Sequence, residues 1–182
     1  MKHHRRQSGM TLIEVTIALV VATATVFLLT STIGSTVNVS ASKYERARAV
    51  DAARNLFELM RSLPASELFA RYNHEPSDDP GGAGTAPGAH FAIEDLSPLD
   101  TDLDGFPGEV LLPAKFAPLR EDVQNTALGF PRDINGDSVV DDKDHASDYI
   151  ILPVCIRVEW KGKSGKQSMV MYCIFSSLKK KA

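Results

Sequence analysis

Nineteen consecutive residues without a charge or a proline, 15–33, constrain this chain more than any other feature. At about 1.5 Å per residue, a helix over this run is roughly 28 Å long, close to the thickness of a bilayer's hydrocarbon core. The basic flank MKHHRR lies on its N-terminal side. An excess of Lys and Arg there keeps the N-terminus in the cytoplasm and sends the rest of the chain across the membrane. Three readings share these features: a cleavable secretory signal, a plain signal anchor, and a more specialised segment. For a secretory signal the run is too long, and TSTIGSTVN at its end offers only a weak small-residue cleavage site. Arg5 and Arg6 are not followed by the residues of a twin-arginine signal. One acid breaks the pattern. An ionised Glu14 in hydrocarbon costs about 2.5–3.5 kcal/mol, so a segment serving only as an anchor does better without it.

What remains after this segment is enough for one small globular unit, with 43% apolar and 24% charged residues in the whole chain. The formal charge is −3, and Lys2, Arg5 and Arg6 contribute three positive charges, so the rest of the chain is strongly acidic. Excess acid repels phosphate, which argues against nucleic acid as a partner of the globular part. The lysines of LKKKA at the C-terminus read as a solvated tail. Of the five histidines, His3 and His4 lie in the basic flank, while His74, His90 and His145 stand alone. HExxH, P-loop, GxGxxG and GxSxG patterns are absent from the sequence, and no nucleophile has a base beside it, so a non-enzymatic role is expected.

The stretch SGMTLIEVTIAL, residues 8–19, closely resembles the prepilin signature of type IV pilins and type II secretion pseudopilins. The resemblance is specific over residues 9–19 and only architectural elsewhere. It implies a leader of residues 1–9, cut by a membrane-bound prepilin peptidase between Gly9 and Met10, methylation of the new N-terminus at Met10, and Glu14 as the fifth mature residue. Met10 stands where that family most often has phenylalanine. In such filaments the carboxylate of Glu14 meets the freed amine of a neighbouring subunit, which implies a role for Glu14 in setting the stagger of packed helices. A buried pair of this kind specifies register more surely than it adds stability. The alternative is a Glu14 that sits at headgroup level and is solvated.

Helical spacing continues past the membrane run. Ala47, Val50, Ala53, Leu56, Phe57, Met60 and Leu63 fall at steps of three and four, the pattern of one buried face, and Pro64 stops it. One helix is therefore expected over about residues 11–63, with residues 10–33 for membrane or filament core and 34–63 as an amphipathic continuation. A bend is expected at Gly34. Residues 64–90 read as a connecting loop, dense in Gly, Pro and Asp from Arg71 onward. Residues 91–182 read as β-rich.

The clearest strands are YIILPVCIRVEW and QSMVMYCIFS around KGKSGK. With a three-residue loop Lys163-Ser164-Gly165, Ile156, Val158 and Trp160 share the helix-facing side with Val170 and Tyr172, and Cys155 falls opposite Cys173. An exported domain meets an oxidising compartment, so these two cysteines are either bridged or remain free thiols; a one-residue slip of the loop removes the pairing.

DINGDSVVDDKD places Asp133, Asn135, Asp137, Asp141 and Asp144 at the first, third, fifth, ninth and twelfth positions, with the Val139 carbonyl at the seventh. This resembles the calcium loop of EF-hands and, more closely, of dockerins, and predicts a structural Ca2+. Ser138 departs from the glycine such loops use at the sixth position. Without metal the loop reads as a solvated acidic turn. Asp100, Asp102 and Asp104 begin a second match that lacks its twelfth ligand.

These readings predict an α+β, pilin-like subunit: a long N-terminal helix, membrane-spanning in its first half, packed on a small antiparallel sheet. The function implied is that of a minor pilin or pseudopilin of the inner membrane and then of a filament. Its partners are other such subunits, the prepilin peptidase and the inner-membrane assembly platform. The competing reading is a signal-anchored periplasmic binding or accessory domain stabilised by calcium, for which no cleavage after Gly9 is expected.

Overall fold

The computed structural model describes residues 11–177, so the leader with Gly9 and Met10, and the lysine tail, lie outside the described residues. Helix α1 spans Leu12–Ser62, a single element of 51 residues that passes Gly34 without interruption. The chain divides into two compact units, one ending at Ala41 and one beginning at Ser42. Within the first, the apolar side chains, among them Leu12, Val15, Val20, Phe27, Leu28 and Ile33, are exposed on all sides of the helix. The threonines do not disturb this surface. Thr16, Thr23, Thr25, Thr30 and Thr32 each donate the hydroxyl to a backbone carbonyl three or four residues earlier. Each hydroxyl proton is thereby satisfied within the helix, as a lipid-facing segment requires. Among the described residues, α1 is the one helix long and apolar enough to cross a membrane.

From Ser42 on the helix becomes amphipathic. Ala49, Ala53, Phe57 and Met60 are buried, with Val50, Leu56 and Leu63 half-buried beside them. The predicted face is thus recovered except at Ala47, which is exposed, while Ala49 takes the inward position. The region expected as a loop over 64–90 holds a short helix α2, Leu68–Tyr72, whose Leu68, Phe69 and Tyr72 are buried. The Gly- and Pro-rich composition opens the chain only beyond it.

Four antiparallel strands form one sheet in the order β1 (His90–Phe91), β2 (Gly108–Leu111), β3 (Ile151–Gly162) and β4 (Gly165–Ser176). Leu152, Val154, Ile156, Val158 and Trp160 alternate along β3 and pack in one core with the buried face of α1, and Phe57 meets Phe175 at 6.1 Å between ring centroids. The β3–β4 hairpin is as predicted but its register is not. Gly165 has the expected positive φ of +101°, yet it pairs with Gly162 inside the ladder, leaving only Lys163 and Ser164 as the turn. A shift of one residue moves every β4 side chain to the other face. Met169, Met171, Cys173 and Phe175 therefore join the core, and Val170, Tyr172 and Ile174 are exposed. Cys155 faces Tyr172 and Cys173 faces Val154, so the two cysteines project to opposite sides of the sheet and both are free thiols. The expected pairing does not exist in this register. Burial pushes the Cys155 thiol above its ordinary value, and Cys173 lies 3.9 Å from Arg61 Nη2.

Residues 112–150 are irregular apart from a 3-10 turn at Thr126–Leu128. Two long-range side-chain anchors fix the fold. Tyr149 donates its hydroxyl to the Ala65 carbonyl and accepts from the Phe69 N–H at 3.2 Å, tying the long connection to the end of the helix. Glu45 on α1 accepts from the Trp160 indole at 3.2 Å and from the Lys163 N–H at 3.4 Å. A side chain at Gly162 would strike Glu45 Oε2 at 2.6 Å, so glycine there permits the contact.

Candidate functional site

Three places in the fold gather chemistry: the start of α1, the acidic loop, and a histidine pair at the sheet. At the first, Glu14 is the third helical residue and its N–H approaches Thr11 Oγ1 at 3.4 Å. Thr11 and Glu14 thus stand at capping-box spacing, with an acid in the first turn, where the helix dipole favours it. This spacing was readable from TLIE in the sequence. Glu14 is exposed, and the structure gives its carboxylate no partner among the described residues.

The acidic loop divides into two halves. In the first, Asp133 accepts from Gly136 N at 2.6 Å and Ser138 N at 2.8 Å, and Asp137 accepts from Val139 N at 2.8 Å. Ser138 has φ of +69°, the left-handed conformation for which calcium loops use glycine at that position. The second half is occupied by a lysine and a histidine. Asp141 accepts from Lys143 Nζ at 2.5 Å and contacts His145 Nε2 at 2.9 Å, while His145 Nδ1 lies 3.0 Å from Asp148. The Lys143 and His145 hydrogen bonds hold the Asp141 carboxyl well below the usual carboxylate range, and the same bond raises Lys143. For His145, burial opposes the charged ring, but the bonds to Asp141 and Asp148 outweigh it and leave its pKa raised. Asp144 turns to the backbone instead, accepting from Leu119 N and Ala146 N, both at 3.0 Å.

Glu121, fully buried, was not visible as a loop residue in the sequence because it stands twelve positions before Asp133. Its Oε1 accepts from Ile134 N at 2.7 Å and Asn135 N at 3.3 Å, and its Oε2 lies 3.4 Å from Asp141 N. Glu121, Asp141 and His145 bring one ligand atom each within 4.8 Å of one another. Of the predicted calcium ligands only Asp141 belongs to this group. Asp133, Asn135 and Asp137 are engaged by the loop's own N–H groups and side chains, and Asp144 by the N–H groups of Leu119 and Ala146.

The incomplete second match separates as well. Asp100 pairs with Lys161 at 2.6 Å, Asp102 makes a backbone turn to Leu99, and Asp104 lies 2.7 Å from His90 Nδ1. His90 does not stand alone. Its ring meets that of His74 edge-on at 5.1 Å between centroids, and Glu109 completes a second group of ligand atoms within 4.8 Å. Burial pushes the His74 imidazole below its ordinary value, and His90 and Lys115 push it the same way. Folding brings together residues separated by 16 and 19 positions, so no spacing rule along the chain could have found them. No protein-family model matches the chain, and neither a curated protein nor a solved structure shows significant similarity to it.

Proposed function

We propose that this chain is a minor pilin or pseudopilin, a non-enzymatic structural subunit of a type IV pilus or a type II secretion pseudopilus. It is made as a precursor, trimmed after Gly9 by a prepilin peptidase, held in the inner membrane by its first helical half, and carried into a filament by the assembly platform and its sister subunits. The observation that carries this reading is the change of character within one helix. Up to Ile33, α1 has apolar side chains exposed on every side, with Glu14 as the only acid; from Ala49 it presents one apolar face to a small antiparallel sheet. A helix exposed all round in this way needs lipid or other such helices to cover it. The prepilin resemblance over residues 9–19 supports the second of these as the final state. Ca2+ is the structural ion we assign to the acidic loop. The left-handed Ser138 and the inward turns of Asp133 support that assignment, and binding there requires Lys143 to release Asp141.

The test is co-expression with a prepilin peptidase, followed by N-terminal mass spectrometry. The expected product begins at N-methylated Met10, and Gly9→Val blocks its appearance. Glu14→Gln separates the two roles of this residue, since glutamine keeps a capping acceptor but removes the charge that would meet a neighbour's amine. The variant is expected to insert and be trimmed, yet to be lost from sheared filaments. Persistence of the intact precursor beside an active peptidase, or undiminished incorporation of Glu14→Gln, overturns the proposal.

A further inference from the structure

We propose that His74, His90 and Glu109 form a binding site for a divalent transition-metal ion of the zinc type, independent of the acidic loop and of the filament reading. His90 and Glu109 are directly paired across β1 and β2, so their side chains rise from the same face of the sheet. His74 follows α2 and is fixed by its backbone N–H, which donates to the Lys115 carbonyl at 2.8 Å. One ligand atom from each lies within 4.8 Å of the others. His74 Nε2 is 3.9 Å from Glu109 Oε1. Donors on a tetrahedral zinc ion sit about 3.3 Å apart, given metal–ligand distances of about 2.0–2.1 Å, so this pair closes on an ion by a small side-chain rotation.

Donor chemistry selects the metal. Two imidazoles and one carboxylate suit zinc and its neighbours, whereas calcium and magnesium require oxygen donors. Three protein ligands leave a fourth position for water, and the group borders a polar cavity of about 370 Å³. The surroundings are arranged around the carboxylate and the second imidazole. Arg157 donates to Glu109 Oε2, which orients the carboxylate and leaves Oε1 facing His74. Asp104 Oδ2 lies 2.7 Å from His90 Nδ1, yet that buried nitrogen has no hydrogen-bond partner. A small turn of the ring makes Asp104 the outer carboxylate that metal-bound histidines usually have. The opposing charge is Lys115 Nζ, 3.9 Å from Glu109 Oε1, on a largely exposed side chain free to swing into solvent. His74 and His90 stand at the two ends of the Gly- and Pro-rich segment 75–89, so an ion held between them staples the base of that loop and stabilises the state that binds it.

The full chain in detergent, carrying His3→Asn and His4→Asn so that the flank supplies no imidazole, is stripped of metal and titrated with Co2+ and then Zn2+. One Co2+ per chain is expected, with visible bands of a nitrogen- and oxygen-ligated ion and no thiolate charge transfer, displaced by one Zn2+. His90→Gln is expected to weaken binding about tenfold or more, and the His74→Gln/His90→Gln pair to abolish it, with unchanged far-UV dichroism. A variant that loses its fold is replaced by a measurement on the unaltered site, protection of His74 and His90 from diethylpyrocarbonate by Zn2+, mapped by mass spectrometry. Absence of stoichiometric binding, binding that survives the double substitution, or unprotected histidines overturns the proposal.

Discussion

Glu45 shows how much one side chain can settle. It reaches from α1 to the hairpin, and its carboxylate accepts from the indole of Trp160, which is 1% exposed. Removing the acceptor leaves a buried N–H without a partner, which costs about 1–3 kcal/mol. Glu45→Ala is therefore expected to lower the melting temperature of the full chain and red-shift the fluorescence of its single tryptophan, while Glu45→Gln keeps most of the stability. The alternation of the β3 strand announced Trp160 as a core residue. Its polar partner 115 positions away did not show, because a glutamate on a helix surface has no local mark that distinguishes an anchor from a solvated charge.

At the scale of elements, the hairpin was legible and its register was not. From Met169 to Ile174, β4 carries apolar residues on both faces, so its periodicity alone allowed either alignment. A pair of lysine substitutions reads the register directly. Met169→Lys places an ammonium against the core and is expected to destabilise by on the order of 3 kcal/mol, whereas Val170→Lys projects from the exposed face and is expected to cost little. The opposite order would restore the three-residue loop. The acidic loop has the same character: its ligand spacing was visible, but the Lys143 and His145 side chains that occupy Asp141, and Glu121 beneath it, were not. Calcium bound there as proposed would compete with Lys143, so an affinity in the weak range of extracellular calcium modules is expected, about 0.1–1 mM. The measurement is the rise in melting temperature with added Ca2+, expected to disappear in an Asp133→Ala/Asp137→Ala variant.

For the whole molecule, every buried core residue among the described residues lies from Ala49 onward, and the described side chains of the helix before Ala41 are all exposed. A chain beginning at Ser42 is therefore expected to be soluble without detergent and to unfold in one cooperative transition. Aggregation of that fragment under conditions where the detergent-held full chain is folded would show that the first helical half supports the fold. By itself the sequence determined the long helix, its stop at Pro64, the switch from an all-round apolar surface to a one-sided one, and the two long strands. Those features follow from local spacing, propensity and chain length, which each segment carries within itself. Tertiary structure alone decided which face of β4 meets the helix, that Cys155 and Cys173 part to opposite sides, and that His74, His90 and Glu109 converge. Such outcomes depend on a one-residue alignment and on contacts between distant segments, whose energies arise only when the core closes and so leave no periodic trace along the chain.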